Sequence, residues 1–249
     1  MLRSWLGICL LAALASCGGS PPPGELLIAA AANLEPVLPR LAEEFERETG
    51  VRTILSFGST GSLAQQVEHG APFDLFLAAD VEHVSELVNK GRIAANTQRV
   101  YTLGRLALWL PKADGVSSLD DLRREEIRAI AVANPGFAPY GRAAVEALRN
   151  AGLFSALEAK IVYAQNVRMA QQYAAGGNAD AALTALSVVP SGTGTRIEIE
   201  EELYAPIKQA GGVLSDAQRP EAARAFLDFL GSEQAGPVWA QSGYRRARR

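Results

Sequence analysis

The chain has 249 residues, 48% of them hydrophobic and 20% charged, and its formal net charge at pH 7 is −3. This mildly acidic balance offers no electrostatic footprint for nucleic acid, and the length supports a sizeable core, in one large domain or in two of about 100 residues. His69 and His83 are the only histidines, which argues against a histidine-based zinc site and against a Ser-His-Asp triad.

The N-terminal segment predicts export. Arg3 precedes an apolar run at residues 5–14 that is too short to span a bilayer as a stable helix. The sequence Leu14-Ala15-Ser16-Cys17 then resembles the lipobox of bacterial lipoproteins, which implies a signal peptide at residues 1–16 and lipidation of Cys17. An ordinary secretory signal cut near Ala15 is the alternative. The lipoprotein interpretation predicts a periplasmic or cell-surface protein anchored to a membrane by lipid.

Residues 17–24 are rich in glycine and proline, a composition typical of a flexible to extended tether. Cys9 leaves with the signal peptide, and Cys17 is acylated in the lipoprotein interpretation. The folded part is therefore expected to hold no disulfide and no thiolate metal site, and to touch the membrane only through its lipid anchor.

Strand-like and helix-like segments alternate from residue 25 onward. Short apolar runs predict strands at residues 25–31, 51–57, 73–79, 106–110, 130–133, 161–163 and 181–185. Helical spacing of apolar residues predicts helices at residues 34–50, 62–69, 142–150, 168–175 and 220–230, with another capped by Asp80 and ending near Gly91. Pro39 predicts a kink or a late start in the first helix. This βαβ pattern is typical of an α/β fold with mostly parallel sheets.

Four junctions between a predicted strand and a predicted helix share one chemistry. They lie at residues 31–34, 58–62, 138–141 and 165–168. Each presents unpaired backbone N–H groups at the positive end of a helix dipole, and small or hydroxylated residues in the first three allow close approach. In a parallel α/β sheet such junctions lie at the carboxyl ends of strands, where open sheets bind ligands. Several of them meeting at one point predict an anion site without a formal positive charge.

Each junction also has a purely structural interpretation. Asn33 fits a helix N-cap, and Ser59 with Thr60 fits a capped turn. Tyr140 fits an aromatic side chain packed in a turn, and Val167 fits a core residue. It is the set of four junctions, in this order, that favours a ligand site.

The segments around these junctions resemble the periplasmic molybdate-binding proteins of ABC transporters. The resemblance is carried by AAANL at residues 30–34, FGSTGSLAQQ at 57–66, GAPFDLFLAAD at 70–80 and APYG at 138–141, and it runs from about residue 25 to residue 244. It implies a two-lobed periplasmic-binding-protein fold of type II, whose cleft closes on one tetrahedral oxyanion, molybdate or tungstate. It also implies no cofactor, no enzymatic activity, a monomer, and a membrane permease with its ATPase as partner.

Carried over by position, the resemblance implies an oxyanion held through its oxygens by Asn33, Thr60, Tyr140 and Val167, with Ala32 and Ser59 adjacent. Asn33 and Thr60 are expected to donate from backbone and side chain, Val167 from its amide alone, and Tyr140 from its amide, with its hydroxyl left open. Two positions depart from the family pattern. Thr60 stands where serine is common, and Ala185 stands where members with a small residue at the position of Tyr140 usually carry a tyrosine.

The donor set favours a fully deprotonated dianion. Molybdate accepts hydrogen bonds at all four oxygens, whereas phosphate at neutral pH keeps a proton and needs an acceptor, and the four junctions contain no Asp or Glu. Neutral dipoles also avoid the cost of burying a lysine or arginine. Sulfate is a deprotonated tetrahedral dianion too and differs only in size. The preference for molybdate therefore rests on the resemblance.

Two other classes of function stay open at the level of sequence. An enzyme on an α/β scaffold is disfavoured because we find no G-x-S-x-G elbow, no P-loop and no G-x-G-x-x-G after a strand. The glycine-rich residues 191–195 precede a strand-like alternation and fit a hairpin or surface loop. A sensor or adhesion module sharing the fold is the other alternative, because a fold alone does not determine function.

The expected lobes are residues 24–104 with 206–249, and residues 105–205. The chain would cross between them near Gly104 and Ala205, and closure would be a hinge motion. Asn33 and Thr60 are expected on one side of the cleft, and Tyr140 and Val167 on the other.

Overall fold

The chain folds into two five-stranded sheets with helices packed against them. The computed structural model describes residues 24–112 and 115–246, so the expected signal peptide, Cys17 and all of the tether except Gly24 lie outside the described residues. In that part of the chain the strands are β1 Leu26–Ala31, β2 Thr53–Gly58, β3 Leu75–Ala78, β4 Arg99–Gly104, β5 Leu106–Leu110, β6 Ile130–Ala133, β7 Ile161–Ala164, β8 Ala181–Ala185, β9 Thr195–Glu198 and β10 Ile207–Val213. The helices are α1 Leu38–Thr49, α2 Thr60–Glu68, α3 Glu82–Asn89, α4 Pro139–Asn150, α5 Phe154–Leu157, α6 Val167–Ala175, α7 Pro220–Leu230 and α8 Gly236–Gln241.

The first sheet has the strand order β2-β1-β3-β10-β4. β1 pairs in parallel with β2 and β3, whereas β10 runs antiparallel to both of its neighbours, β3 and β4. The chain therefore leaves this sheet after β4 and returns to it late, when β10 inserts between two strands formed much earlier.

The second sheet, in the order β7-β6-β8-β5-β9, repeats the same plan. β6 pairs in parallel with β7 and β8, and β5 runs antiparallel to β8 and β9. The predicted two-lobed α/β fold is confirmed. The sheets are mixed rather than mostly parallel, however, because half of the strand pairings in each are antiparallel. A strand that enters from the other sheet is not held to the parallel direction by a βαβ crossover.

Most predicted elements are present, and four are found that the sequence did not predict. β5, β6, β8 and α7 have the predicted bounds. The helices at three of the junctions begin earlier than predicted, at Thr60, Pro139 and Val167; proline is well suited to the first helical position because its φ is already helical. The unpredicted elements are β4, β10, α5 and α8.

The expected late start of the first helix is confirmed. A single 3-10 turn at Ala32–Leu34 follows β1, and α1 begins only at Leu38, with Pro39 in its first turn. Pro39 lacks a backbone N–H, and a first-turn position needs none. Asn33 therefore lies in a short turn directly after a strand rather than inside a long helix.

The central strands are buried because helices cover both faces of the sheets. Every residue of β3, β5, β6 and β8 is buried. β10 escaped prediction because it contains two glycines, which are depleted in strands. The structure explains Gly212: a Cβ there would stand too close to a side-chain carbon of Ile93. Within the described ranges, no helix is both long and apolar enough to cross a membrane.

Candidate functional site

Strand ends from both sheets meet at one small cavity. From the first sheet come residues that end or follow β1, β2 and β3, and from the second come residues that follow β6 and β7. The lining residues are Ala31, Ala32, Asn33, Gly58, Ser59, Thr60, Ala79, Ala138, Pro139, Tyr140, Asn166 and Val167. All six residues expected from the sequence, Ala32, Asn33, Ser59, Thr60, Tyr140 and Val167, are in this set. Ala79 was missed, although it is the last residue of a predicted strand.

The cavity is enclosed by buried residues from helix starts. Asn33 and Thr60 are 1% exposed, Tyr140 is 2% and Val167 3%. Thr60 and Val167 are the first residues of α2 and α6, Tyr140 is the second of α4, and Asn33 lies in the 3-10 turn. In residues 24–112 and 115–246, the backbone N–H groups of these four residues have no hydrogen-bond acceptor, as expected of amides in a first turn. Four amide donors are therefore available at one place.

The hydroxyl of Thr60 is oriented by a backbone amide. Its Oγ1 accepts a hydrogen bond from the N–H of Ala79 at 3.0 Å. Because this bond uses an oxygen lone pair, the hydroxyl proton is left to donate elsewhere. Thr60 thus offers a second donor beside its own backbone amide.

The side chain of Asn33 is not available to the cavity, which corrects the expectation that it would donate to the ligand. Its Nδ2 donates to Oε1 of Gln209 at 2.8 Å and to the hydroxyl of Tyr244 at 2.9 Å. Both amide hydrogens are used in this way. The hydroxyls of Tyr244 and Ser187 in turn donate to the Asn33 carbonyl, at 2.6 and 2.8 Å. Gln209, Tyr244 and Ser187 therefore hold Asn33 in place, and its backbone N–H is the donor that remains for a ligand.

The phenol oxygen of Tyr140 lies against Gly104, at the end of β4. Its Oη is buried and has no hydrogen-bond partner among the described residues, and the same is true of Gln209 Nε2. Both atoms lie within 3 Å of the point where a Cβ of Gly104 would stand. Burial raises the pKa of this phenol well above its ordinary value of 10, and the neighbouring Tyr244 raises it further. The phenol therefore stays neutral.

Two of the junction residues cap helices; for Ser59 the sequence allowed this role as an alternative. Ser59 caps α2, its Oγ accepting from the N–H of Ser62 at 3.3 Å, and Asn166 caps α6 by accepting from Met169 N at 3.0 Å. Val167 accepts at its carbonyl from Thr184 Oγ1, at 2.9 Å. These bonds fix the helix starts whose free amides lie at the cavity.

Charged residues close in sequence to the lining residues are paired with each other. Arg142 Nη2 lies 2.5 Å from Asp80 Oδ2 and 3.2 Å from a carboxylate oxygen of Glu82, and Arg168 Nε lies 3.6 Å from Glu35 Oε2. The twelve lining residues include no acidic residue, basic residue or histidine. Across the described ranges there is no cluster of three or more His, Cys, Asp or Glu that could hold a metal ion. The electrostatic field in the cavity therefore comes from backbone and hydroxyl dipoles.

Direct hydrogen bonds join the two lobes around the cavity. The N–H of Gly61 at the start of α2 donates to the carbonyl of Phe137 at 2.8 Å. Ser187, which follows β8, donates to the carbonyl of Asn33. The structure is thus closed over the cavity. Two α/β lobes that enclose an uncharged, donor-lined cavity define a binding protein of the two-lobed type, with a site suited to an anion.

Comparison with known proteins agrees with this class. A family model described as bacterial extracellular solute-binding protein matches residues 26–245. The molybdate-binding protein ModA of Azotobacter vinelandii is 35% identical over 246 residues, 97% of each chain, and that of Rhodobacter capsulatus is 32% identical over 222 residues, 89% of this chain and 88% of the relative. The solved structure of the periplasmic molybdate-binding protein of A. vinelandii has a TM-score of 0.85 at 29% identity, covering 90% of this chain and 100% of its own.

The chain belongs to the family of bacterial extracellular solute-binding proteins, and its predicted resemblance to the periplasmic molybdate-binding proteins is confirmed. Members of this family are transport components, and membership places the chain outside the cytoplasmic membrane.

Proposed function

We propose that this protein binds molybdate or tungstate outside the cytoplasm and delivers it to an ABC transporter permease that works with an ATPase. Relatives named molybdate-binding protein, similar over nearly the whole chain, support the choice of ligand. One observation carries the proposal: four free amides and a hydroxyl lie at a cavity whose lining holds no charged side chain. Such a lining suits an anion that only accepts hydrogen bonds.

In this proposal the oxyanion is held through its oxygens by five donors. These are the backbone N–H groups of Asn33, Thr60, Tyr140 and Val167 and the hydroxyl of Thr60, with Ala32 and Ser59 against the ligand as neighbours. Hydrogen bonds to a charged group contribute about 1.5–3 kcal/mol each, so five together contribute about 8–15 kcal/mol towards the cost of ordering on binding. No arginine or lysine is desolvated, which avoids a penalty of several kcal/mol. No cofactor and no catalytic group are proposed.

Size, rather than hydrogen bonding, has to separate molybdate from sulfate, because both are tetrahedral dianions. A thermal-shift and calorimetry panel with molybdate, tungstate, sulfate and phosphate, on protein freed of bound ligand, tests the proposal. We expect the unfolding temperature to rise with molybdate and tungstate and to stay nearly unchanged with phosphate. A larger shift with sulfate would replace the proposed ligand, and no shift with any of the four would refute the function.

The lipid anchor and the lobe boundaries complete the proposal. Cys17 is the proposed lipidation site after removal of residues 1–16, with residues 17–24 as the tether. One lobe comprises residues 24–104 and 206–249, and the other residues 105–205, in line with the strands of each sheet. The protein is proposed to act as a monomer. Metabolic labelling with a fatty acid tests the anchor: Cys17→Ser should abolish the label that wild type carries, and equal labelling would exclude this site.

A further inference from the structure

A second buried tyrosine is linked to the cavity through one peptide group. Tyr101 lies on β4 and is 3% exposed. Its hydroxyl donates to the carbonyl of Ala78 at 3.1 Å. Neither Tyr101 nor Ala78 lines the cavity, so the phenol acts at a distance from any ligand.

The peptide that accepts this bond also orients Thr60. The carbonyl of Ala78 and the N–H of Ala79 belong to the same planar peptide group, and that N–H donates to Thr60 Oγ1 at 3.0 Å. The hydrogen bonds therefore run in one direction, from the Tyr101 hydroxyl through the peptide to the Thr60 hydroxyl. Bonds arranged head to tail polarise one another, and each makes the next group a stronger donor.

We propose that Tyr101 is a positioning residue for the Thr60 hydroxyl, acting through the peptide between Ala78 and Ala79. The proposal rests on the proposed function, because it makes Thr60 a donor to the bound oxyanion. The phenol fixes the plane of the peptide, the peptide N–H takes a lone pair of Thr60, and the Thr60 proton is directed into the cavity. Any effect of Tyr101 on affinity should then depend on the hydroxyl of Thr60.

A purely structural role for Tyr101 makes a different prediction. Its ring lies 5.7 Å from that of Trp239, which in turn lies 5.0 Å from the ring of Tyr244. This aromatic packing does not depend on the phenol oxygen. If the hydroxyl of Tyr101 only stabilised the fold, its removal would lower the unfolding temperature and leave affinity unchanged. If it supported the cavity in a general way, its removal would lower affinity equally with and without the Thr60 hydroxyl.

A double-mutant cycle on affinity separates the two roles. Tyr101→Phe, Thr60→Val and the double variant are titrated with molybdate by calorimetry, and the unfolding temperature of each is measured without ligand. Loss of one oriented hydrogen bond predicts affinity about three- to tenfold weaker for Tyr101→Phe. In the Thr60→Val background, the same substitution should change affinity less than about twofold, because the group it acts through is gone.

Two further variants complete the test. Thr97→Val removes another fully buried hydroxyl of the same lobe, which bonds only with Ala94 and Val213, and should leave affinity unchanged. A 3-fluorotyrosine introduced at Tyr101 keeps the ring and is a stronger donor, so it should tighten binding in the presence of Thr60 and not in Thr60→Val. Equal losses from Tyr101→Phe in both backgrounds would overturn the proposal, as would no loss in either. Failure of the wild type to bind molybdate would instead refute the proposed function.

Discussion

Gly104→Ala is expected to weaken molybdate binding by opposing the packing of Tyr140 against the first lobe. An added Cβ would stand 2.8 Å from Tyr140 Cζ, 2.9 Å from Gln209 Nε2 and closer still to Tyr140 Oη. Real Cβ atoms essentially never approach other heavy atoms within 3.0 Å, so the phenol would have to move. The φ angle of Gly104 is not positive, so its backbone accepts alanine and the effect is steric.

The size of the effect on affinity depends on whether the closed or the open conformation carries the strain. Overpacking of this kind costs about 1–3 kcal/mol. Tyr140 belongs to α4, on the second sheet, and Gly104 ends β4 of the first, so the clash with Tyr140 exists when the lobes are closed and is relieved when they part. The lesser clash, with Gln209 Nε2 on β10 of the same sheet, is present in both states and does not change affinity. A cost borne by the closed state alone lowers affinity about 5- to 150-fold.

Calorimetry with molybdate measures the loss, and Gly231→Ala is the matched control. A Cβ at Gly231 would meet its nearest atoms at 3.7 and 4.0 Å, so this variant should bind like wild type. The unfolding temperature of ligand-free Gly104→Ala should fall little if the free protein opens. Unchanged affinity for Gly104→Ala would refute the reasoning, as would a large loss of stability without any loss of affinity.

Three other substitutions test the effect of a negative charge at Asn33, the effect of the Tyr140 hydroxyl, and the pH dependence that Asp80 gives to stability. Asn33→Asp sets a carboxylate against Gln209 Oε1, in the residue whose backbone N–H is proposed to hold the dianion. It should weaken binding about a hundredfold or more, whereas Asn96→Asp, at an exposed position, should not. Equal calorimetric affinities for Asn33→Asp and wild type would contradict this expectation. Tyr140→Phe should weaken molybdate binding less than about threefold, because its phenol is directed at Gly104; complete loss by calorimetry would mean that the phenol contacts the ligand. Burial alone would raise the pKa of Asp80, but its hydrogen bond from His83 and the guanidinium of Arg142 hold it below 3.8. A carboxyl with a depressed pKa stabilises the fold above its ordinary pKa and loses that effect as the pH falls through its folded-state value. Asp80→Asn should therefore lower the unfolding temperature at pH 7, and the difference from wild type should shrink as the pH is lowered through the acid range; a difference that does not change with pH would contradict this.

The alternation of strands and helices was predictable because it depends on neighbours in sequence. β5, β6, β8 and α7 have their predicted bounds, since their apolar spacing and flanking turn residues are local signals. β10 could not be predicted in the same way. Its place depends on contacts of Gly211 and Gly212 with β3 and Ile93, and a glycine in a sequence carries no mark of what packs against it.

Only part of the candidate site could be predicted from the sequence. Helix-start chemistry identified the junctions that contain Thr60, Tyr140 and Val167, because a first-turn N–H is free whatever the rest of the fold does. The family resemblance then indicated these particular residues as donors. The directions of the side chains could not be predicted from the sequence. The side-chain amide of Asn33 was expected to donate to the ligand, yet its two hydrogens are donated to Gln209 and Tyr244, which are 176 and 211 residues away in the sequence.

By itself, the sequence determined the α/β class and the strand-to-helix junctions that supply free amides. Each of these follows from capping, periodicity and turn chemistry within a few residues. Tertiary structure alone decided that β10 returns to the first sheet, that Gln209 and Tyr244 hold Asn33, and that Tyr140 packs against Gly104. The physical reason is that hydrogen-bond partners and close packing join residues far apart in the chain, whose approach no local pattern records.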